Sequence, residues 1–309
     1  STSATASQLT AVAGATGLNV TATAVETVTG TATQMDALLT DEGSSGDKIN
    51  LDADYAITIN SGTATVTQAN AYGAATVGVV TATISNTAIA ELNNLTTATT
   101  DLLAITIAAE DVSAAQLITL NLRTGSTIDA QAVTGITSGT AAQFESIMDN
   151  EGSSGDKINL DGDFTVTLSD GTTTAAQLAK IDAKTSKNIN ASAVTTISGS
   201  ASDFTTIAAA QGTGDNQYQL KSDVALTVTD TGTVDSGDLE TIRGMSTGFT
   251  DATAVATING TATEITTLLG NEGTTGNTVG LDGNFTMTVS SGQATVTQVN
   301  TMSDFSTSG

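Results

Sequence analysis

The stretch Thr261-Ala-Thr-Glu-Ile-Thr-Thr-Leu-Leu-Gly-Asn-Glu-Gly-Thr-Thr-Gly276 decides the fold. Thr261 can cap a helix, and Glu264, three residues on, can reach back to the cap's own amide, which makes a capping box. Ile265, Leu268 and Leu269 then fall on one helical face. Gly273 and Gly276 belong to the turn that follows. The same box recurs along the whole chain, with third-position residues Gln8, Gln34, Gln68, Glu91, Gln116, Gln143, Gln177, Asp203, Asp238, Glu264 and Gln298. The gaps between them are 26, 34, 23, 25, 27, 34, 26, 35, 26 and 34 residues. Self-similarity at this period means stacked coils and no single globular core. The box at Glu91 is degraded, because Ala88 stands where the cap should be.

Each predicted helix is followed by a strand pattern. Short coils read Val20 to Val25, Val79 to Ile84, Ile128 to Val133 and Ile189 to Val194. Long coils read Tyr55 to Ile59, Phe164 to Leu168, Val224 to Val228 and Phe285 to Val289. Alternation with period two puts one face inward and leaves outward threonines on the other. This predicts that Ile57, Ile59, Val166, Leu168, Leu226, Val228, Met287 and Val289 form buried ladders. Thr58, Thr165, Thr167, Thr227 and Thr288 then lie opposite. Long coils also carry an insert, Glu42-Gly-Ser-Ser-Gly-Asp-Lys-Ile-Asn-Leu-Asp52, repeated identically at Glu151 to Asp161 and in drifted form at Glu272 to Asp282. Gln211 to Asp223 is a distant fourth copy. Within the insert, Lys48 to Leu51 can add a second short strand. The coil after Glu91 has lost the insert, so the unit is a pair of coils of about 60 residues.

Helices and strands joined this closely require parallel strands side by side, with helices along another side. The expected fold is an α/β solenoid of about eleven coils, each a short capped helix plus a parallel strand; the alternative is a pure parallel β-solenoid. The expected organisation is one elongated repeat domain over 1–309. Neither terminal coil reads as a polar cap, so the strand edges at Val20–Val25 and Phe285–Val289 are expected to be covered, by further coils or by copies of the chain head to tail.

Composition narrows the function. The chain has 309 residues and a formal charge of −24 with only 8 Lys plus Arg, which disfavours nucleic acid and anionic membranes as partners. Threonine makes up about a fifth of it, and Cys, His, Trp and Pro are absent. Without His or Cys there is no Ser/His or Cys/His triad and no thiolate or imidazole metal site. No apolar run approaches the ~20 residues that span a bilayer.

Acids cluster at ligand-like spacing only in the insert. Asp47, Asn50, Asp52 and Asp54 recur as Asp156, Asn159, Asp161 and Asp163, an oxygen-rich set that suits calcium. The third copy substitutes Asn277, Gly280 and Asn284, so a solvated turn is the competing reading. Thr65/Thr67, Thr81/Thr83, Thr165/Thr167 and Thr286/Thr288 invite comparison with ice-binding ranks, but ordinary outward strand positions account for them. Asp235, Asp238 and Glu240 are the nearest thing to a catalytic acid group, in a chain where acids are common. Sequons at Asn19, Asn94, Asn190, Asn259 and Asn284 follow from the threonine content.

The run Gly62-Thr-Ala-Thr-Val-Thr-Gln-Ala-Asn-Ala71 followed by Gly78-Val-Val-Thr-Ala-Thr-Ile84, with relatives at Gly171 to Ile181 and Gly292 to Asn300, resembles repeats of giant secreted, cell-surface, surface-layer or fibre-forming proteins of cyanobacteria and other marine bacteria. The resemblance implies an extracellular structural role, as a self-assembling fibre or surface layer, or as the stalk of a giant adhesin with a carbohydrate or protein ligand. Neither role involves catalysis or a cofactor, except for calcium if the insert binds it.

Overall fold

The computed structural model describes residues 2–46, 48–155, 157–169, 171–210 and 218–306. Eleven helices occur among them: α1 Ala6–Thr16, α2 Ala32–Asp41, α3 Val66–Ala75, α4 Ile89–Leu92, α5 Ala114–Asn121, α6 Ala141–Asp149, α7 Ala175–Asp182, α8 Ala201–Ala210, α9 Ser236–Gly244, α10 Ala262–Gly270 and α11 Val296–Ser306. There is one helix for each sequence box. Nine boxes close reciprocally; at α10, for example, Glu264 N–H donates to Thr261 Oγ1 at 3.3 Å and Thr261 N–H to Glu264 Oε2 at 2.8 Å. At α9 the cap is one-sided, Asp235 accepting from Gly237 N–H. At α4 Ala88 makes no side-chain cap, and the helix is four residues long. The buried stripe is narrow and repeats at three-residue steps, as in Ala32, Met35 and Leu38, or Ala175, Leu178 and Ile181. Helices this short are marginal alone and are held by packing.

The strand pairings are parallel, and the fold is an α/β repeat of solenoid type. The helices rule out the pure β-solenoid. The chain forms two compact units, Ser1–Gly135 with Asp149–Asp161, and Ile136–Met148 with Gly162–Gly309. In the first, α1 packs on α2 and α2 on α3; in the second, α7 to α11 pack in sequence.

Of the four short-coil segments, Val79 to Ile84 forms the expected strand at Val80–Thr83, and the strand expectation fails in the other three. Val20 to Val25 is not one strand. Val20–Thr21 is a strand, a corner follows, and Thr27–Thr31 is a second strand. Ile128–Asp129 and Gly135–Ser138 repeat this, as do Ile189–Ala191 and Thr196–Gly199. Each corner is closed by a three-residue backbone hydrogen bond, Val25 N–H to Ala22 O, Val133 to Ala130 and Val194 to Ala191. The signal was a change of parity: Val20 and Ala22 share one face, and Val25 is odd. The second strand of the long coil is present as expected, at Ile49–Asn50 and Ile158–Asn159. The fourth insert copy lies outside the described residues from 211 to 217.

A full ladder has five strands in a fixed order. In the second unit it runs Thr172–Thr174, Thr196–Gly199, Ala225–Val228, Thr250–Asp251, Val279–Gly280. The first member sits just before a short-coil helix, the next two precede the helices of later coils, and the last two follow helices. The helix therefore moves one strand place along the ladder with each pair of coils. In the first unit, where the insert is missing, Leu102–Thr106 fills two strand places at once. Its first half pairs with Thr81–Thr83 and its second half with Ile128–Asp129, fusing two ladders into a seven-strand sheet.

The buried ladders are confirmed except at the last coil. Ile57, Val166, Leu168, Leu226 and Val228 are at most 1% exposed and Ile59 is 8%. Met287 is only half-buried and Val289 is 42% exposed, because no further coil covers Thr286–Val289. The opposite threonines are half-buried or exposed, as expected.

A buried hydroxyl stitches coil to coil, and sequence reading missed it. It lies eleven residues after the cap of a short-coil helix, at Thr76, Thr124, Thr185 and Ser246. Thr76 donates to Tyr55 O at 2.6 Å, Thr124 to Leu103 O at 2.9 Å, Thr185 to Phe164 O at 2.5 Å and Ser246 to Val224 O at 2.7 Å. Thr124 also accepts from Leu103 N–H at 2.9 Å and Ser126 N–H at 3.1 Å. Thr124→Val keeps the shape and strands these groups in a fully buried site. The expected loss is about 2 kcal/mol, read as a lower urea midpoint, with Thr124→Ser close to wild type.

Candidate functional site

The insert, the only metal-ligand candidate, is built as a helix stop. Lys48 Nζ donates to Thr40 O at 2.8 Å, and Lys157 Nζ to Asp149 O at 3.0 Å, so each lysine satisfies a last-turn carbonyl of its helix. Gly43 N–H to Ile49 O and Gly152 N–H to Ile158 O close the loop in both copies. The sequence reading passed over these lysines. Their position, six residues after Glu42 and Glu151 in identical inserts, was the available signal.

The calcium candidates are placed as follows. Asp47 and Asp156 lie outside the described residues. Asn50 and Asn159 are half-buried strand residues whose carbonyls accept from Ala22 and Ala130 N–H. Asp52 Oδ1 accepts from the next residue's amide, Ala53 N–H, at 2.8 Å. Asp54 and Asp161 are exposed. Asp163 is held by Lys187 Nζ at 2.9 Å and by the Ser186 hydroxyl at 3.0 Å. Among the described residues no three metal-ligating side chains of the His, Cys, Asp and Glu kinds converge. Asp52, Asp54 and Glu26 line, without converging, a cleft of about 650 Å³ that Thr2, Thr23, Ala24 and Val25 also line.

The other candidates have structural partners. Asp235 caps α9, and Glu240 is held by Arg243 at 2.9 Å and by Asn271 at 3.1 Å. Thr65 and Thr67 are not a strand pair: Thr65 is the cap of α3 and Thr67 lies in its first turn. The box glutamine also links neighbouring helices. Gln68 Nε2 donates to Asp36 Oδ2 at 2.7 Å, and Gln177 Nε2 to Glu145 Oε2 at 3.0 Å. All three tyrosines of the chain point inward and donate to protein oxygens, Tyr55 to Glu42 at 3.1 Å, Tyr72 to Asp36 at 2.9 Å and Tyr218 to Leu178 O at 3.4 Å. Burial first, then the neighbouring acid, pushes each phenol well above its usual range.

These environments set a pH dependence. Burial raises Glu42, Asp182 and Asp238 above the usual carboxylate range, with the Asp235 charge adding at Asp238. A raised acid holds its proton more tightly folded than unfolded, so its contribution to stability falls as pH rises through that range. Hydrogen bonding lowers Asp163, Asp223 and Glu264, through Lys187, Lys221 and the Thr261 amide respectively. Their contribution is present above the unfolded value and is lost as pH falls through the folded one. Thermal stability should therefore fall as pH rises through and above the usual carboxylate range, and fall again as pH drops below that range. Relief of the −24 charge acts in the same direction on the upper limb. Scanning calorimetry across this range checks the prediction.

Each of the five sheets has two edge strands among the described residues, and some of these belong to the first and last coils. In the first coil, among the described residues, Val20–Thr21 pairs only with Ile49–Asn50, and Ser3–Thr5 only with Thr27–Thr31. In the last coil, among the described residues, Thr286–Val289 pairs only with Thr257–Gly260. Beside it lies a groove of about 550 Å³ lined by Phe285, Met287, Val289, Val299 and Met302. Helix α11 along this groove has no buried residue among those described: Val296 is 79% exposed and Val299 50%, where their counterparts Val66 and Ala69 in α3 are 7% and 0%. Among the described residues no helix is long and apolar enough to cross a membrane. No family model matches the chain, and neither does any curated protein or solved structure.

Proposed function

We propose that this chain is a non-catalytic structural protein of the bacterial cell exterior that assembles with copies of itself, head to tail, into a fibre or surface layer. The observation that carries the proposal is the parallel repeat itself, in which the strands of each coil pair with those of the next and edge strands beside an apolar groove can pair with further copies. An edge of this kind is a template for pairing with another chain. Unlike ends meeting by translation give an open filament and not a closed ring. The acidic, threonine-rich outer face supports a hydrated exterior setting and argues against nucleic acid as a partner. The structural partners of Asp235 and Glu240 favour a mechanical role over a catalytic one, and the role requires no cofactor.

Electron microscopy of the native material, with sedimentation of the purified chain, tests the reading. The expected result is filaments or layers in equilibrium with 30.7 kDa chains. A monodisperse chain at all concentrations that binds a carbohydrate or protein ligand would replace assembly by the stalk role.

A further inference from the structure

We propose that the coil from Asp235 to Val255 is a weak link built into the second unit, the place where its stack of coils opens first. The inference concerns the single chain and stands whether or not copies assemble.

Short coils begin at the caps Thr5, Thr65, Ser113, Thr174 and Asp235 and share one pattern of places. One place after the cap the first four carry a buried apolar residue, Ala6, Val66, Ala114 and Ala175; the fifth carries Ser236. Fifteen places after the cap the first four carry Val20, Val80, Ile128 and Ile189, each paired in a parallel ladder; the fifth carries Thr250. Ser236 and Thr250 are both 0% exposed, and neither Ser236 Oγ nor Thr250 Oγ1 has a hydrogen-bond partner among the described residues. A hydroxyl taken out of water and left unpaired destabilises the folded coil, whereas the open coil returns it to water. The other unpaired atoms among the described residues, on Asn121, Arg123 and Asp182, belong to half-buried side chains.

Ser236 also sits in the contact that locks one coil to the next. Gly30, Gly139, Gly199 and Gly260 each precede a long-coil cap. A Cβ on Gly30 would come 3.3 Å from Ala6 Cβ, and one on Gly199 2.9 Å from Ala175 Cβ, so these glycines lie against the first residue of the preceding helix. At Gly260 the neighbour is the Ser236 hydroxyl, which an added Cβ would overlap. The close apolar contact of the other coils holds an unpaired hydroxyl here.

The start of α9 is weaker as well. Helices α1, α3, α5 and α7 each close a reciprocal box with a glutamine in third place. Asp235 takes only the Gly237 N–H, and the third place holds a second acid, Asp238, whose carboxyl is pushed up by burial and then by the Asp235 charge. Gly237 stands where Ser7, Thr67, Ala115 and Ala176 stand, and glycine is the poorer helix former. Arg243 bonds Glu240 at 2.9 Å and Asn277 at 3.1 Å, which ties the rim of the coil and leaves the two core hydroxyls unpaired.

Thr250–Asp251 pairs with Ala225–Val228 on one side and Val279–Gly280 on the other. Opening this coil therefore frees a strand edge on each neighbour. In a chain that carries load, it fixes where the chain lengthens first.

Amide hydrogen exchange of the dilute full-length chain, expressed as protection relative to the unfolded peptide, tests the inference. The amides of Thr250 and Ala252 donate to Thr278 O and Gly280 O, as those of Ile128 and Ala130 donate to Lys157 O and Asn159 O. At about tenfold for each unpaired hydroxyl, Thr250 and Ala252 should be about a hundredfold less protected than Ile128 and Ala130. Ser236→Ala with Thr250→Val should raise protection at Ala252 about a hundredfold and leave Ile128 and Ala130 unchanged. Ile128→Thr should carry the defect to the other coil and lower protection at Ala130 about tenfold. Equal protection of the two coils in the wild type would overturn the weak link. Unchanged protection at Ala252 in the double variant would overturn its assignment to these hydroxyls.

Discussion

Val166→Asp costs about 4 kcal/mol or more and unfolds the coils around it. Val166 is 1% exposed and stands beside Ile189 in a parallel ladder. The buried residues before and after it on its strand, Phe164 and Leu168, are apolar, so a carboxylate there meets no cation and no water. Coils in a stack lean on their neighbours, and the loss spreads to the adjacent coils. Thr165→Asp, one residue away on the exposed face, should change stability by about 0.5 kcal/mol or less. Urea unfolding of the two variants, followed by circular dichroism, separates a face-specific effect from added charge alone.

Gly248→Val costs about 3 kcal/mol, because Gly248 is a buried glycine at a coil crossing. A Cβ there meets Val224 O at 2.5 Å and Asp223 O at 2.6 Å, both backbone atoms. Relief requires the coils to part, which breaks the Ser246 bonds to Val224 O at 2.7 Å and Ser222 O at 3.2 Å. Gly270→Val is the control, since nothing lies within 4 Å of a Cβ there; it should cost only what a β-branched residue costs a helix end. A lowered urea midpoint for the first variant alone supports the crossing geometry.

Helix positions were legible in the chain because a capping box is a local device. Thr261 and Glu264 need nothing beyond three residues to find each other, and the one box read as degraded, with Ala88 at the cap place, belongs to the four-residue helix. The buried strand faces were legible for the same reason, since a period of two is written into Phe164 to Leu168. The corner between Ala22 and Val25 was written as a parity change and was read as continuous strand. The order of strands across the ladder was not legible. It depends on which coil sits beside which, and no local pattern states that the helix moves one strand place with each pair of coils. The stitch at Thr76, Thr124, Thr185 and Ser246 was hidden among many threonines, and only its constant distance from the cap distinguishes it. The role of Lys48 and Lys157 was not legible, because it depends on the loop folding each lysine back onto a helix carbonyl eight residues earlier.

Amide hydrogen exchange at the two edges tests the central proposal, that the chain assembles with copies of itself head to tail. The exchange of Val20, Thr21 and Thr286 to Val289 is to be compared between dilute chain and assembled material. The account predicts that both edges become protected together on assembly, by at least about a hundredfold, as expected for amides entering a stable ladder. The interior strands, such as Ala225–Val228, should stay as protected as before. Assembled material in which these edge amides exchange as fast as in the dilute chain would contradict it.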